Sequence, residues 1–115
     1  MYNLRFLNKE NELNKILKVQ KRTKHRISIL FTSLWDNNSI NLVNELKDKY
    51  KEETIGASPL YVVDSFTMPH SFVIYGTTKV PHLVKVQSDK VYSEDYYPVI
   101  REKLGLTEKK WLLTK

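Results

Sequence analysis

Cysteine is absent from the 115-residue sequence. That excludes a disulfide scaffold, thiol catalysis, iron–sulfur clusters and cysteine-type zinc sites. Glycine and proline are sparse, at three and four residues, and no Pro/Gly/Ser-rich linker, repeat or low-complexity tract divides the chain. The three histidines, His25, His70 and His82, are too scattered to suggest a metal site, so no metal and no cofactor are expected. No run approaches the roughly 18 apolar residues of a membrane span. Met1 to Leu7 runs straight into Asn8-Lys9-Glu10-Asn11-Glu12, with no apolar signal-peptide core. The expectation is therefore an intracellular, cytoplasmic protein with no membrane partner.

What is present is ordinary for a globular chain: 41% hydrophobic and 28% charged residues. The length suits one domain, and a domain of this size buries roughly 65% of its unfolded surface, enough for an unstapled core. The net charge is +6. Much of the excess sits in one run, Lys18-Val19-Gln20-Lys21-Arg22-Thr23-Lys24-His25-Arg26, with Lys109, Lys110 and Lys115 near the end. The lean towards Lys, Asn, Ile and Tyr is one that often reflects an AT-rich genome, in which part of a lysine excess is mutational drift.

Hydrophobic periodicity orders the elements. Tyr2 to Leu7 predicts a short strand with Leu4 and Phe6 on one face. Asn8 is placed as an N-cap before a helix carrying Leu13, Ile16 and Leu17, which is expected to fade near Gln20. Ile27 to Leu34 is β-rich and almost continuously apolar, as a central strand covered on both faces should be. A polar elbow, Trp35-Asp36-Asn37-Asn38-Ser39, leads into a second amphipathic helix with Ile40, Val43, Leu46, Lys47 and Tyr50. Leu60 to Val63 predicts a third strand. A short helix starts at Pro69 and stops at Gly76. Strands at His82–Val86 and Lys90–Tyr92 flank a turn at Gln87-Ser88-Asp89. A last helix opens near Pro98, carries Val99, Ile100 and Leu104, and ends near Gly105. The order β-α-β-α-β-α-β-β-α implies an α/β fold with a mixed central sheet flanked by helices.

That order, with Ile29 to Ser39 (ILFTSLWDNNS), Asp64, and Tyr75-Gly76-Thr77-Thr78-Lys79-Val80-Pro81 before an apolar strand, resembles the thioredoxin family over residues 2 to 106. The resemblance implies a thioredoxin fold for residues 1–106 and leaves 107–115 as a C-terminal tail. Trp35 stands where the family has the tryptophan before its first active-site cysteine, and Pro81 where it has a cis-proline. Asp36 and Ser39 occupy the two cysteine positions. A thioredoxin needs one thiolate to attack a disulfide and a second thiol to resolve it, chemistry that a carboxylate and a hydroxyl cannot perform. Leu30 and Leu60 stand where the family keeps a buried acid and its lysine. Nucleophile, resolving thiol, acid and lysine are gone together, so a redox-inactive protein that is not an enzyme is expected.

Each candidate residue has a plain reading beside a functional one. Asp36 and Ser39 are read as helix caps; the alternative joins them with His82 in a hydrolytic constellation, for which the sequence offers no oxyanion hole. Trp35, Asp36, Asn37 and Asn38, with Val80, Pro81 and His82, either pack loops or form the groove that in the family takes an extended peptide, a mode needing no thiol. The basic residues Lys18, Lys21, Arg22, Lys24 and Arg26 are either a solvated helix end or a phosphate-contacting patch. Tyr92, Tyr96 and Tyr97 are expected to pack the last helix against the fifth strand. Trp111-Leu112-Leu113 either folds back or docks on a partner. The resulting expectation is a non-catalytic binding module with a protein partner, in the manner of a small assembly subunit. A nucleic-acid-associated accessory is the alternative, and small size with an emptied active site suits a viral or phage source.

Overall fold

A computed structural model describes residues 2–106. The 107–115 tail and its Trp111-Leu112-Leu113 triplet lie outside the described residues. The elements follow in the order β1 (Tyr2–Phe6), α1 (Glu10–Thr23), β2 (Ile27–Thr32), α2 (Asn37–Lys49), β3 (Ser58–Asp64), α3 (Pro69–Ile74), β4 (His82–Gln87), β5 (Lys90–Glu94) and α4 (Tyr97–Lys103). The strands form one mixed sheet in the order β1-β3-β2-β4-β5. β1, β3 and β2 are parallel, and β4 and β5 continue the sheet antiparallel.

β2 lies in the middle, and all six of its residues are buried. Its side chains alternate between two cores, as the period-2 geometry of a strand requires. Ile27, Ile29 and Phe31 join Leu13 of α1, Met68 and the partly buried Phe72 of α3. Leu30 joins Leu42 and Leu46 of α2, Ile100 and Leu104 of α4, and Leu60 of β3. Helices thus cover both faces, and no helix among the described residues is long and apolar enough to cross a membrane.

Several local expectations shift. α1 runs on to Thr23 instead of fading near Gln20, because Lys, Arg and Gln are good helix formers. Gln20 is buried, and its side-chain amide donates to the carbonyls of His25 and Ser88, both at 3.1 Å. The helix is capped by Lys24, which takes a left-handed conformation (φ 62°) and donates its N–H to the Gln20 carbonyl. At the other end Lys9, not Asn8, is the N-cap; the Glu12 carboxylate accepts from the N–H groups of both Asn8 and Lys9. On α2 the core face is Ser39, Leu42 and Leu46, while Ile40 is exposed. Phe6 is also exposed, under the Lys47 ammonium at 5.3 Å, because the helices leave that corner of the sheet open. Tyr92 and Tyr96 are exposed and only Tyr97 of the three packs into the core.

Candidate functional site

The elbow after β2 is held from both sides. Asp64, paired with Thr32 in the β2–β3 register, ends β3. Its carboxylate accepts the N–H of Leu34 at 3.0 Å and that of Phe66 at 2.8 Å. One side chain thereby pins two loops that leave adjacent strands. The Thr32 hydroxyl donates to the Val63 carbonyl at 3.0 Å, and Ser65 N–H donates to the Thr32 carbonyl at 2.9 Å, closing the same junction. On this fixed base Leu34, Trp35 and Phe66 project into solvent, 64%, 83% and 71% exposed. Apolar groups concentrated on one such tip are what a partner surface would bury.

Trp35 is positioned by its backbone: its N–H donates to the Ser33 hydroxyl at 3.2 Å. Asp36 is the N-cap of α2, and its carboxylate accepts the Ser39 N–H at 2.8 Å, satisfying one of the orphan donors of the first turn. Asn37 and Asn38 are exposed in that turn. Ser39 is not itself a cap. It is buried inside the helix, and its hydroxyl has no hydrogen-bond partner among the described residues.

The Val80–Pro81 peptide is cis and leads into β4. Pro81 is buried and Val80 half-buried. His82, next in the chain, pairs with Phe31 across the β2–β4 ladder, their rings 6.2 Å apart. Burial holds its pKa below the usual value, against the opposing pull of the Asp95 and Glu94 carboxylates. The antiparallel pairing therefore places Pro81 and His82 at the same end of the sheet as the elbow. Among the described residues, the Ser39 hydroxyl has no hydrogen-bond partner and only its backbone N–H meets Asp36, so the nucleophile–base–orienter chain of a hydrolase is not assembled. Beside the elbow, an apolar groove of about 250 Å³ runs past Leu34, Phe6, Ile40 and Val43.

The basic run lies at the opposite end. Lys18, Lys21 and Arg22 are exposed on α1 and make no ion pair among the described residues. Lys24 is paired with Asp89 of the β4–β5 turn. Arg26 leads into β2. The six residues of β2 lie between them and hold run and elbow roughly 20 Å apart, at about 3.3 Å per residue.

Sequence reasoning missed Leu34 and Phe66 as exposed tips and the clamp made by Asp64. Leu34 ends an apolar run and reads as strand interior, and Phe66 carries no pattern at all. Leu30 and Leu60, standing where the resembled family has an acid and a lysine, are both fully buried in the leucine-rich core. A dry cluster of this kind favours them over an unpaired charge.

No family model matches the sequence, and no curated protein matches it. Solved structures do. Thioredoxin O1 from Arabidopsis thaliana, in the oxidized state, superimposes with a TM-score of 0.69 at 16% identity, covering 88% of this chain and 92% of that one. Schistosoma mansoni thioredoxin gives 0.69 at 13% identity, covering 90% and 94%. Fasciola hepatica thioredoxin gives 0.65 at 20% identity, covering 90% and 99%. The chain therefore has the thioredoxin fold, as its element order implied, without the cysteines on which thiol chemistry depends.

Proposed function

We propose that this protein is a non-catalytic binding module that engages a protein partner through the elbow end of the sheet. The observation that carries the reading is the exposed trio Leu34, Trp35 and Phe66, held on a backbone that the Asp64 carboxylate fixes from both sides. Preorganised apolar anchors lose little entropy on binding, and tryptophan is enriched among the few residues that carry most of an interface's binding energy. Val80 and the buried cis Pro81 flank the same end, where an extended segment of a partner would lie. With no thiol, the module has no disulfide chemistry of its own, and the protein should leave insulin disulfides intact with any electron donor.

Two variants test the reading on a partner captured from the native host and then purified. Trp35→Ala should weaken binding by more than about 1 kcal/mol. Reversal of Lys21, Arg22 and Lys24 to glutamate should leave affinity nearly intact and slow association only at low salt. The second reading, a nucleic-acid-associated accessory using Lys18, Lys21, Arg22, Lys24 and Arg26, is supported by the unpaired cations on α1. It predicts the inverse: charge reversal abolishes binding, Trp35→Ala does little, and affinity falls steeply with salt.

A further inference from the structure

Lys85 is a lysine in a place where the fold has no use for one. It lies in the middle of β4, an inner strand, on the sheet face covered by α2 and α4. Its neighbours Val84 and Val86 are buried in the opposite core. The side chain is half-buried, and no carboxylate pairs with it among the described residues. Its ammonium donates instead to the Tyr2 hydroxyl at 2.9 Å and stands 5.6 Å from the centre of the Tyr2 ring. Tyr2 belongs to β1, three strands away in the sheet order, so the two side chains reach towards each other across β2 and β3. An ammonium carries three N–H donors, and the single hydroxyl acceptor leaves the others to be satisfied from outside the fold. Drawing such a cation partly out of water without an anion is unfavourable.

The strand register gathers a second cation beside it. Tyr2 pairs with Ser58, Ser28 with Leu60 on one side and with Lys85 on the other. Arg26, two residues before Ser28, therefore falls level with Ser58 and on the same face. Tyr2, Ser58, Arg26 and Lys85 line a polar recess of about 400 Å³, walled by the loop 54–57. That wall is fixed: Asn3 and Thr54 exchange two hydrogen bonds, at 2.9 and 3.2 Å, and Ala57 N–H donates to the Thr54 carbonyl. The lining includes two cations, two hydroxyl-bearing residues besides Thr54, and no carboxylate. Next to Lys85 in the register, Ser28 is fully buried with a hydroxyl that has no partner among the described residues.

We propose that this recess binds a phosphate group, with Arg26 and Lys85 supplying the charge and the hydroxyls completing the contacts. Arginine and lysine are the side chains that recognise phosphate, and their hydrogen bonds to an anion are stronger than neutral ones. The volume exceeds a bare phosphate and lies in the small-molecule range, so the ligand is a phosphate monoester or phosphoanhydride, or one phosphate of a polynucleotide backbone. The site is separate from the elbow, and it does not depend on the partner-binding reading.

The test is a ¹⁵N NMR titration of the full chain with sodium pyrophosphate, against sodium chloride at matched ionic strength. A second titration uses a ten-nucleotide oligothymidine. Pyrophosphate should give saturable shifts at the Gly56, Ala57, Ser58 and Lys85 amides that chloride does not reproduce. Arg26→Gln and Lys85→Met should each weaken it about tenfold or more, as expected for one lost charge-assisted bond. Arg26→Gln changes only an exposed residue and Lys85→Met keeps an apolar stem of similar length, so both should fold. Lys79→Gln with Lys90→Gln, at exposed lysines outside the recess, should leave pyrophosphate binding unchanged. If the oligonucleotide alone saturates the same amides and is sensitive to the same two variants, the site is assigned to backbone phosphate. Shifts equal to those in chloride, or insensitive to both Arg26→Gln and Lys85→Met, would overturn the proposal.

Discussion

Replacing Asp64 by alanine removes a carboxylate that accepts from both loops at the elbow. Two N–H groups lose their partner at once, that of Leu34 at 3.0 Å and that of Phe66 at 2.8 Å. A hydrogen bond to a charged acceptor contributes roughly 1.5–3 kcal/mol net. Leu34 and Phe66 are both exposed, so water can replace part of each bond, and the range of an ordinary hydrogen bond, about 0.5–1.5 kcal/mol each, applies. The expected cost of Asp64→Ala is then about 1–3 kcal/mol. Asparagine keeps one carbonyl oxygen and loses the charge, so Asp64→Asn should cost about half as much. Urea unfolding followed by circular dichroism measures both, with the denaturant slope unchanged if the denatured state is unaffected. Amide hydrogen exchange gives the local readout: Leu34 and Phe66 should lose protection while the β2 amides keep theirs. An Asp64→Ala variant within about 0.5 kcal/mol of wild type, or unchanged exchange at Leu34 and Phe66, would refute the clamp and with it the account of why the apolar tip is rigid.

The remaining outcomes follow from residues already placed. Asp36→Ala should destabilise by about 0.5–2 kcal/mol through loss of the α2 cap, measurable by the same unfolding assay. Ser39→Ala should be neutral or slightly stabilising, because it deletes a buried hydroxyl that has no partner among the described residues. Leu30→Asp, which restores a carboxyl where the resembled family has one, should cost about 3–5 kcal/mol at neutral pH, since an unpaired charge enters a dry leucine cluster. Part of that loss should return as the carboxyl protonates in mild acid, visible as a pH-dependent gain in the melting temperature relative to wild type. His82 is held below its usual pKa of 6.5 by burial, so the unfolded chain binds its proton more readily than the folded one. Its contribution is fully present above that value and is lost as pH falls below it towards the depressed folded value. His82→Gln should flatten the fall in stability over that window, and an unchanged slope would show that its burial is not coupled to titration.

The order of elements was legible in the sequence by itself because each carries its own period and punctuation. β2 is a run of apolar residues too continuous for a one-sided strand, Asp36 stands directly before an apolar periodicity, and Pro69 and Pro98 open helices whose first turn needs no N–H from them. The missing cysteines, and leucine at positions 30 and 60, were likewise plain from the residues alone. Tertiary structure decided what periodicity cannot weigh. Ile40 and Phe6 are apolar and in phase with their neighbours, yet stay exposed, because α2 and the end of β1 leave an open groove between them. Helix propensity carries α1 past its apolar stripe, but the burial of Gln20 is tertiary, its amide donating to carbonyls of His25 and of Ser88, the latter sixty-eight residues away. Asp64 holds the Phe66 N–H locally, two residues on, but only the β2–β3 register brings the Leu34 loop to the same carboxylate. Lys85 and Tyr2 stand eighty-three residues apart in sequence, and only the interleaved strand order lets an ammonium on β4 reach a hydroxyl on β1. Local propensity determines which elements form, whereas partners distant in sequence meet only once the sheet has assembled them.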